Sequence, residues 1–442
     1  MAGDTIFALA SAPGRAGVAV LRLSGDRSGE VLQRLSGQAL PKPRYAQRVR
    51  LTSSAGELMD DGLALWFPAP RSFTGEDVVE LHLHGGRAVL AAVSEELLDQ
   101  GLRPAEPGEF SRRAFLNNKM DLTEAEAVAD LVDAETSAQR RQALRQMDGA
   151  LSRLVEDWRT RLVRALAHFE AVIDFPEEGL PEELNAQVDK VLGDLAGEIS
   201  THLADGHRGE RLRDGLEVAI LGAPNAGKSS LLNRLARREA AIVSATAGTT
   251  RDVIEVHLDL GGFPVVLADT AGLRETEEEI ESEGIRRARA RAEKADLVIA
   301  VFDGSQLPRL DPHTLELVDN KALVVVNKAD LVTGGLPADL PEGRSFLLSA
   351  RTGEGLDPFL LVLTETVARL LDVSAAPVLT RARHRSALEE CLAALERARQ
   401  APMPELAGED LRLAARAIGR ITGRVDVEEL LDVIFREFCI GK

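Results

Sequence analysis

The octapeptide Gly222-Ala223-Pro224-Asn225-Ala226-Gly227-Lys228-Ser229 sits directly between an apolar run, LEVAILG, and a helix-forming segment. A glycine-rich turn in that place gathers backbone N–H groups at a helix N-terminus, where the aligned peptide dipoles add positive potential, so it is built to hold phosphate. Lys228 supplies a point charge to the outer phosphates, and the Ser229 hydroxyl is placed for Mg²⁺. From Leu216 to about residue 370 strand-like and helix-like stretches alternate, which predicts an α/β layer around a parallel sheet.

Other short segments repeat the pattern of polar residues closing an apolar strand. Asp269-Thr270-Ala271-Gly272 ends PVVLADT, so Asp269 can reach the metal through water while the Gly272 N–H senses a γ-phosphate. Asn327-Lys328-Ala329-Asp330 ends ALVVVNKAD. A carboxylate here accepts paired hydrogen bonds from the N1 and N2 donors of guanine, which adenine lacks, so GTP and GDP are the expected ligands. Ser349-Ala350, followed by Arg351, ends SFLLSA and fits the loop that backs the guanine carbonyl. Between them Ala247-Gly248-Thr249-Thr250-Arg251-Asp252 offers Thr250 as a second hydroxyl for Mg²⁺ when a γ-phosphate orders the loop; a serine/threonine turn without a role is the plainer reading. Ala226, Gly227, Ser230, Ser244, Ala245, Thr246, Ala247, Gly248, Thr249, Thr270 and Ala271 complete the expected nucleotide contacts. In this order these are the elements of a Ras-like P-loop G domain.

Such domains often carry a glutamine just after Asp-x-x-Gly, but Leu273 stands there. An aliphatic side chain cannot orient water, so a cation, a distant side chain or a partner must supply that help. The Asn225 amide oxygen could coordinate a monovalent ion with carbonyls of the Ser244 to Thr249 loop, although asparagine is also common in plain turns. The acidic stretch Glu275 to Glu283 is available for water, or is a solvated face.

At 442 residues the chain exceeds what one core usually organises. Residues 1 to about 118 read as α+β, with β-rich runs VAVLRLSG, GLALWFP and DVVELHLHGG between turns. Thereafter one amphipathic helix is expected along Leu144, Met147, Leu151, Leu154, Trp158, Leu162, Leu166 and Phe169, interrupted at Pro176, and another along Leu184, Val188, Val191, Leu195, Ile199 and Leu203. After Pro377 helix returns, with Leu388, Cys391, Leu392 and Leu395 in one stretch and Leu430, Leu431, Ile434 and Phe438 in the last. The simplest arrangement is one helical bundle built from both flanks, with the G domain inserted: 1–118, 119–212, 213–375 and 376–442. Only Cys391 and Cys439 are present, too few for a disulfide framework. No run reaches the roughly 18 apolar residues of a membrane span, and a cytoplasmic location is the default expectation. The net charge of −18 requires any nucleic-acid contact to use a local basic surface, and disfavours an RNA-binding G protein with a basic appendage.

The segments PGRAGVAVLRLSG, RSFTGEDVVELHLHGG, PGEFSRRAFLNNKMDLTEAEAVADL, GAPNAGKSSLLN, AGTTRDV, DTAGLRE, NKAD and the terminal CIGK together resemble the MnmE (TrmE) family of tRNA-modification GTPases over essentially the full length. The resemblance implies an N-terminal tetrahydrofolate-binding domain that also forms a homodimer, a helical domain and an inserted G domain. It implies that, with the flavoprotein MnmG (GidA), which carries the FAD, the chain serves aminomethyl or carboxymethylaminomethyl addition to carbon 5 of the wobble uridine of certain tRNAs. K⁺ is implied at Asn225, Ser244, Thr246 and Thr249, Mg²⁺ at Ser229 and Thr250, and a water-orienting carboxylate at Glu281, beside Lys228 and Thr250 in catalysis. A 5-formyl or methylene tetrahydrofolate is implied at Arg22, Glu80, Lys119 and Lys442, which chemistry alone would rate as surface charges. Cys439 falls near the one-carbon donor, either as a reacting thiol or as a packed neutral one.

Overall fold

The computed structural model describes residues 4–174, 182–238, 241–242, 255–269, 289–372, 378–425, 431, 434–436, 438 and 441. They divide into two compact units, Met1–Ala129 with Gln146–Val191 and Ala393–Lys442, and Asp130–Arg145 with Leu192–Leu392.

In the first unit, β1 (Ile6–Leu9), β2 (Ala16–Ser24), β3 (Gln47–Thr52), β4 (Leu58–Phe67), β5 (Val78–Gly85) and β6 (Arg103–Pro104) form one sheet in the order β3-β4-β5-β2-β1-β6. Every pairing is antiparallel except β1 with β6. Period-two alternation sends Leu21, Leu23, Val79, Leu81 and Leu83 into a core covered by Val31, Leu32 and Leu35 of α1 (Ser28–Ser36) and Val93 and Leu97 of α2 (Arg87–Asp99). The same alternation turns Arg22 and Glu80 to the other face, where α3 (Glu109–Leu116) contributes Phe110.

The stripe expected along a single helix from Leu144 to Phe169 is divided between α5 (Ser137–Met147) and α6 (Ala150–Asp174), because Gly149 adopts φ +76°, which ends a helix. On α6 the buried line is Leu151, Val155, Trp158, Leu162 and Ala165, so the spacing was right but two of its members shift. Also in this unit are α4 (Leu122–Asp133) up to Ala129 and the first part of α7 (Glu182–Leu203). Near the C-terminus, Leu431, Ile434, Phe435 and Phe438 pack on Leu122 and Ala125.

The second unit contains α8 (Arg208–Asp214) and a seven-stranded sheet in the order β13-β12-β11-β7-β10-β9-β8. Its strands are β7 (Leu216–Leu221), β8 (Ala241–Ile242), β9 (Glu255–Leu260), β10 (Phe263–Asp269), β11 (Leu297–Asp303), β12 (Ala322–Asn327) and β13 (Ser345–Leu347). Five strands run parallel as expected, but β9 turns back along β10 and β8 along β9, so one edge is antiparallel. The central runs are continuously apolar because both faces are covered. Val218, Ile220, Ile299, Val301 and Val325 meet α9 (Lys228–Arg238) and α10 (Leu356–Leu371), while Ala300, Phe302, Val324 and Val326 face Leu340 on the other side.

Two long helices follow among the described residues. The first half of α11 (Ala382–Gln400), with Cys391 fully buried, belongs to the second unit. In the first unit α12 (Pro404–Thr422), which the sequence patterns did not single out, lies along α6: Arg412 pairs with Glu170 at 3.2 Å, and Ala407, Leu411, Ala414, Ile418 and Ile421 form its buried line. Among the described residues no helix is long and apolar enough to cross a membrane.

Candidate nucleotide-binding site

Strands β7, β11 and β12 end at the same edge of the parallel sheet, which is where ligands sit in open α/β sheets. From β7 the chain enters the P-loop through Gly222, where any Cβ would overlap the Val301 carbonyl on β11. Gly227 has φ +94°, and a Cβ there would run into Nδ2 of Asn327. Only glycine allows both approaches. Between them Asn225 adopts the left-handed conformation, φ +61°, that asparagine tolerates better than most residues, and its side chain is exposed. Nζ of Lys228 donates to the carbonyls of Gly222 (2.8 Å) and Ala223 (2.9 Å), which arches the ammonium over the loop. Ser229 and Ser230 are exposed on the first turn of α9.

Asn327, only 3% exposed, ties the loops together. Its Nδ2 donates to the Ala226 carbonyl (2.9 Å) and its Oδ1 accepts from the Ala350 N–H (2.9 Å). This side chain is therefore spent on the scaffold, fixing the P-loop against the 349–351 loop. Asp330, three residues on, accepts from the Ser349 hydroxyl at Oδ1 (2.6 Å) and pairs with Arg351 at Oδ2 (2.9 Å). The Ser349 hydrogen bond, with Arg351 adding to it against the effect of burial, holds the Asp330 carboxyl below the usual carboxylate range. It is anionic at neutral pH and ready to accept donors. The Arg351 side chain is 81% exposed, so exchanging it for a ligand's N–H groups costs little.

Sequence reasoning missed Asp303 and Arg234. Asp303 ends β11 opposite Asn327 and receives Lys328 Nζ at 2.6 Å. Burial works to raise its pKa, but hydrogen bonds from Lys328 and Ser305 outweigh that and lower it. Its signal was present, since LVIAVFD closes an apolar strand on a carboxylate just as PVVLAD does. Arg234 of α9 donates through Nε to the Ala350 carbonyl at 2.9 Å; nothing in its local pattern distinguishes it from other helix-surface arginines.

In the first unit the structure joins Arg22 and Glu80, which are register partners on β2 and β5. Arg22 donates twice to Glu80 Oε1, from Nε (3.1 Å) and Nη2 (2.8 Å), with Phe73 5.4 Å and Phe110 5.8 Å from the guanidinium carbon. Lys119 Nζ donates to the Pro70 carbonyl (2.9 Å), on the loop that also carries Phe73.

Against this geometry, a family model described as MnmE helical domain matches residues 122–439, and one described as GTP-binding protein TrmE N-terminus matches residues 5–119. The tRNA modification GTPase MnmE of Paramagnetospirillum magneticum is 65% identical over 440 residues, covering 99% of this chain and 100% of that protein. The protein of the same description from Rhodospirillum rubrum is 59% identical over 456 residues, with full coverage of both, and that from Parvibaculum lavamentivorans 57% over 445, covering 99% and 100%. The chain belongs to the MnmE family.

In this MnmE family member, the expected site residues Asn225, Ala226, Gly227, Lys228, Ser229, Ser230, Asn327, Lys328, Ala329, Asp330, Ser349, Ala350 and Arg351 converge at one sheet edge. Asp269 closes β10, which pairs with β7 beside the P-loop. Ser244, Ala245, Thr246, Ala247, Gly248, Thr249, Thr250, Thr270, Ala271, Gly272, Glu281, Cys439 and Lys442 lie outside the described residues. Among the described residues no three His, Cys, Asp or Glu side chains gather as a metal centre. A cation held here would draw on hydroxyl, amide and phosphate oxygens, the hard donors that suit Mg²⁺ and K⁺, and the exposed Ser229 hydroxyl and Asn225 amide fit one such donor each.

Proposed function

We propose that this chain hydrolyses GTP in tRNA modification, and that with MnmG it serves aminomethyl or carboxymethylaminomethyl addition at carbon 5 of wobble uridine. One observation carries the nucleotide reading: the ionised Asp330 lies on the loop that Asn327 bolts to the P-loop carbonyl of Ala226, so one rigid edge presents both a guanine acceptor and a phosphate cradle. Lys228 leaves its two carbonyls for the outer phosphates, and the N–H groups at the start of α9 take the remainder of that charge. Ser229 and Thr250 hold Mg²⁺; Asn225, Ser244, Thr246 and Thr249 hold K⁺. Bound there, the two cations would supply positive charge beside the phosphates, the charge compensation that phosphoryl transfer needs. Because Leu273 cannot orient water, Glu281 takes that role.

In the same reading the chain is organised as 1–118, 119–212, 213–375 and 376–442, dimerises through its first domain and works in the cytoplasm. A tetrahydrofolate derivative lies against Arg22, Glu80, Lys119 and Lys442. The Arg22–Glu80 pair beside Phe73 supports that placement, since it offers fixed donors and acceptors next to an aromatic face.

GTP turnover measured in KCl and in NaCl at equal ionic strength tests the cation. We expect faster turnover in K⁺ and loss of the difference in Asn225→Ala; equal slow rates in both salts would remove the mechanism. Nucleoside analysis of tRNA from cells lacking the gene should show the carbon 5 group missing from wobble uridine, and an unaltered profile would overturn the assignment.

A further inference from the structure

Asp303 belongs to none of the phosphate- or base-contacting segments, yet the end of β11 is built around it. Oδ1 accepts from the Ser305 N–H (3.0 Å) and hydroxyl (2.6 Å), which fixes the carboxylate on its own turn. Oδ2 is left to take Lys328 Nζ at 2.6 Å. Gly304 lets the turn come close: a Cβ there would stand 2.5 Å from the Asn327 carbonyl, so a larger residue would push the Asn327–Lys328 peptide away. Lys328 itself has φ +66°, a left-handed conformation that a lysine seldom adopts. Its carbonyl accepts from the Leu331 N–H (2.8 Å), which fixes the backbone, and the Asp303 carboxylate fixes the direction of the side chain.

We propose that Asp303 is a positioning residue for the purine base, acting through Lys328. Lys328 lies between Asn327, which is fixed to the P-loop, and Asp330, which meets the base edge. A nucleotide with its phosphates at Lys228 and its base at Asp330 must pass the Lys328 side chain. Drawing the ammonium back to Asp303 leaves the four-carbon stem as the part turned to the base, and apolar stem on an aromatic face is a favourable contact that water does not compete for. The base is then gripped by two independent means: Asp330 reads its hydrogen-bonding edge, and the Lys328 stem, set by Asp303, covers its face whatever that edge carries. The inference rests on the guanine-nucleotide reading and deepens it.

The test is a binding cycle on the full chain with GDP and with IDP, whose base lacks the N2 amino group, using wild type, Asp303→Asn, Lys328→Met and the double variant. Asp303→Asn should weaken both nucleotides by the same factor, roughly five- to tenfold, as expected for losing one partly exposed charge-assisted hydrogen bond. Turnover assays should show the loss mainly in KM. In the Lys328→Met background, where no ammonium needs holding, the same Asp303 substitution should have little further effect. If Asp303→Asn weakens GDP equally in both backgrounds, or weakens GDP far more than IDP, the positioning role is wrong. Failure of the wild-type chain to bind either nucleotide would instead sink the nucleotide reading itself.

Discussion

Replacing Asn327 by alanine tests the claim that one amide side chain holds the site together. The substitution removes a donor from the buried Ala226 carbonyl and an acceptor from the buried Ala350 N–H. Each peptide group left without a partner costs about 1–3 kcal/mol. Some relaxation of the exposed Arg351 side of the loop brings the expected sum to about 2–4 kcal/mol. For a unit of this size a loss of 1 kcal/mol lowers Tm by about 2–4 °C, so the variant should melt roughly 5–15 °C below wild type in a calorimetric or near-ultraviolet scan. Asn327→Asp should not rescue it. The aspartate keeps an acceptor for Ala350 but sets a second carboxylate oxygen against the Ala226 carbonyl, where two acceptors repel. Nucleotide affinity should fall in both variants, because the phosphate cradle and the base-reading loop are no longer held at a fixed separation. A melting curve within about 1 °C of wild type for Asn327→Ala would refute the reasoning, since it would mean that water or a local shift satisfies both peptide groups at no cost.

Asp330→Asn should broaden base choice, read by competition of ITP and XTP against labelled GDP; undiminished preference for guanine would mean that another residue reads it. Glu281→Ala should bind GTP almost normally and turn it over more slowly, and wild-type turnover would end its assignment to water. Burial pushes the Cys391 thiol up to about 12 from 9.0. A proton held more tightly in the folded state stabilises it fully below the unfolded value near 9, and that increment is lost as pH rises from about 9 toward 12. The denaturation midpoint of wild type should therefore fall more steeply over that range than that of Cys391→Ala. Parallel slopes would contradict the burial, as would rapid alkylation of the Cys391 peptide at pH 8 in the folded protein.

Much of this protein was legible in its residues, for reasons that are local. A P-loop is recognisable because phosphate capture needs glycine, lysine and a hydroxyl at fixed spacing, and buried parallel strands announce themselves because both faces must be apolar. The segments that carry the family resemblance are likewise contiguous. What contiguous segments could not disclose is how groups far apart in the chain spend their hydrogen bonds. Asn327 was readable as a nucleotide contact, but only the folded sheet brings Ala226 and Ala350 to within 2.9 Å of its amide and so makes it a brace. Asp303 closes an apolar run that the sequence displays, but its partner Lys328 is set beside it only by the register of β11 with β12. The period of α6 was correct while its start was not, because the break depends on one backbone angle at Gly149. Chemistry written into adjacent residues can be read directly, whereas pairings across the sheet exist only after burial has chosen which polar groups must satisfy one another.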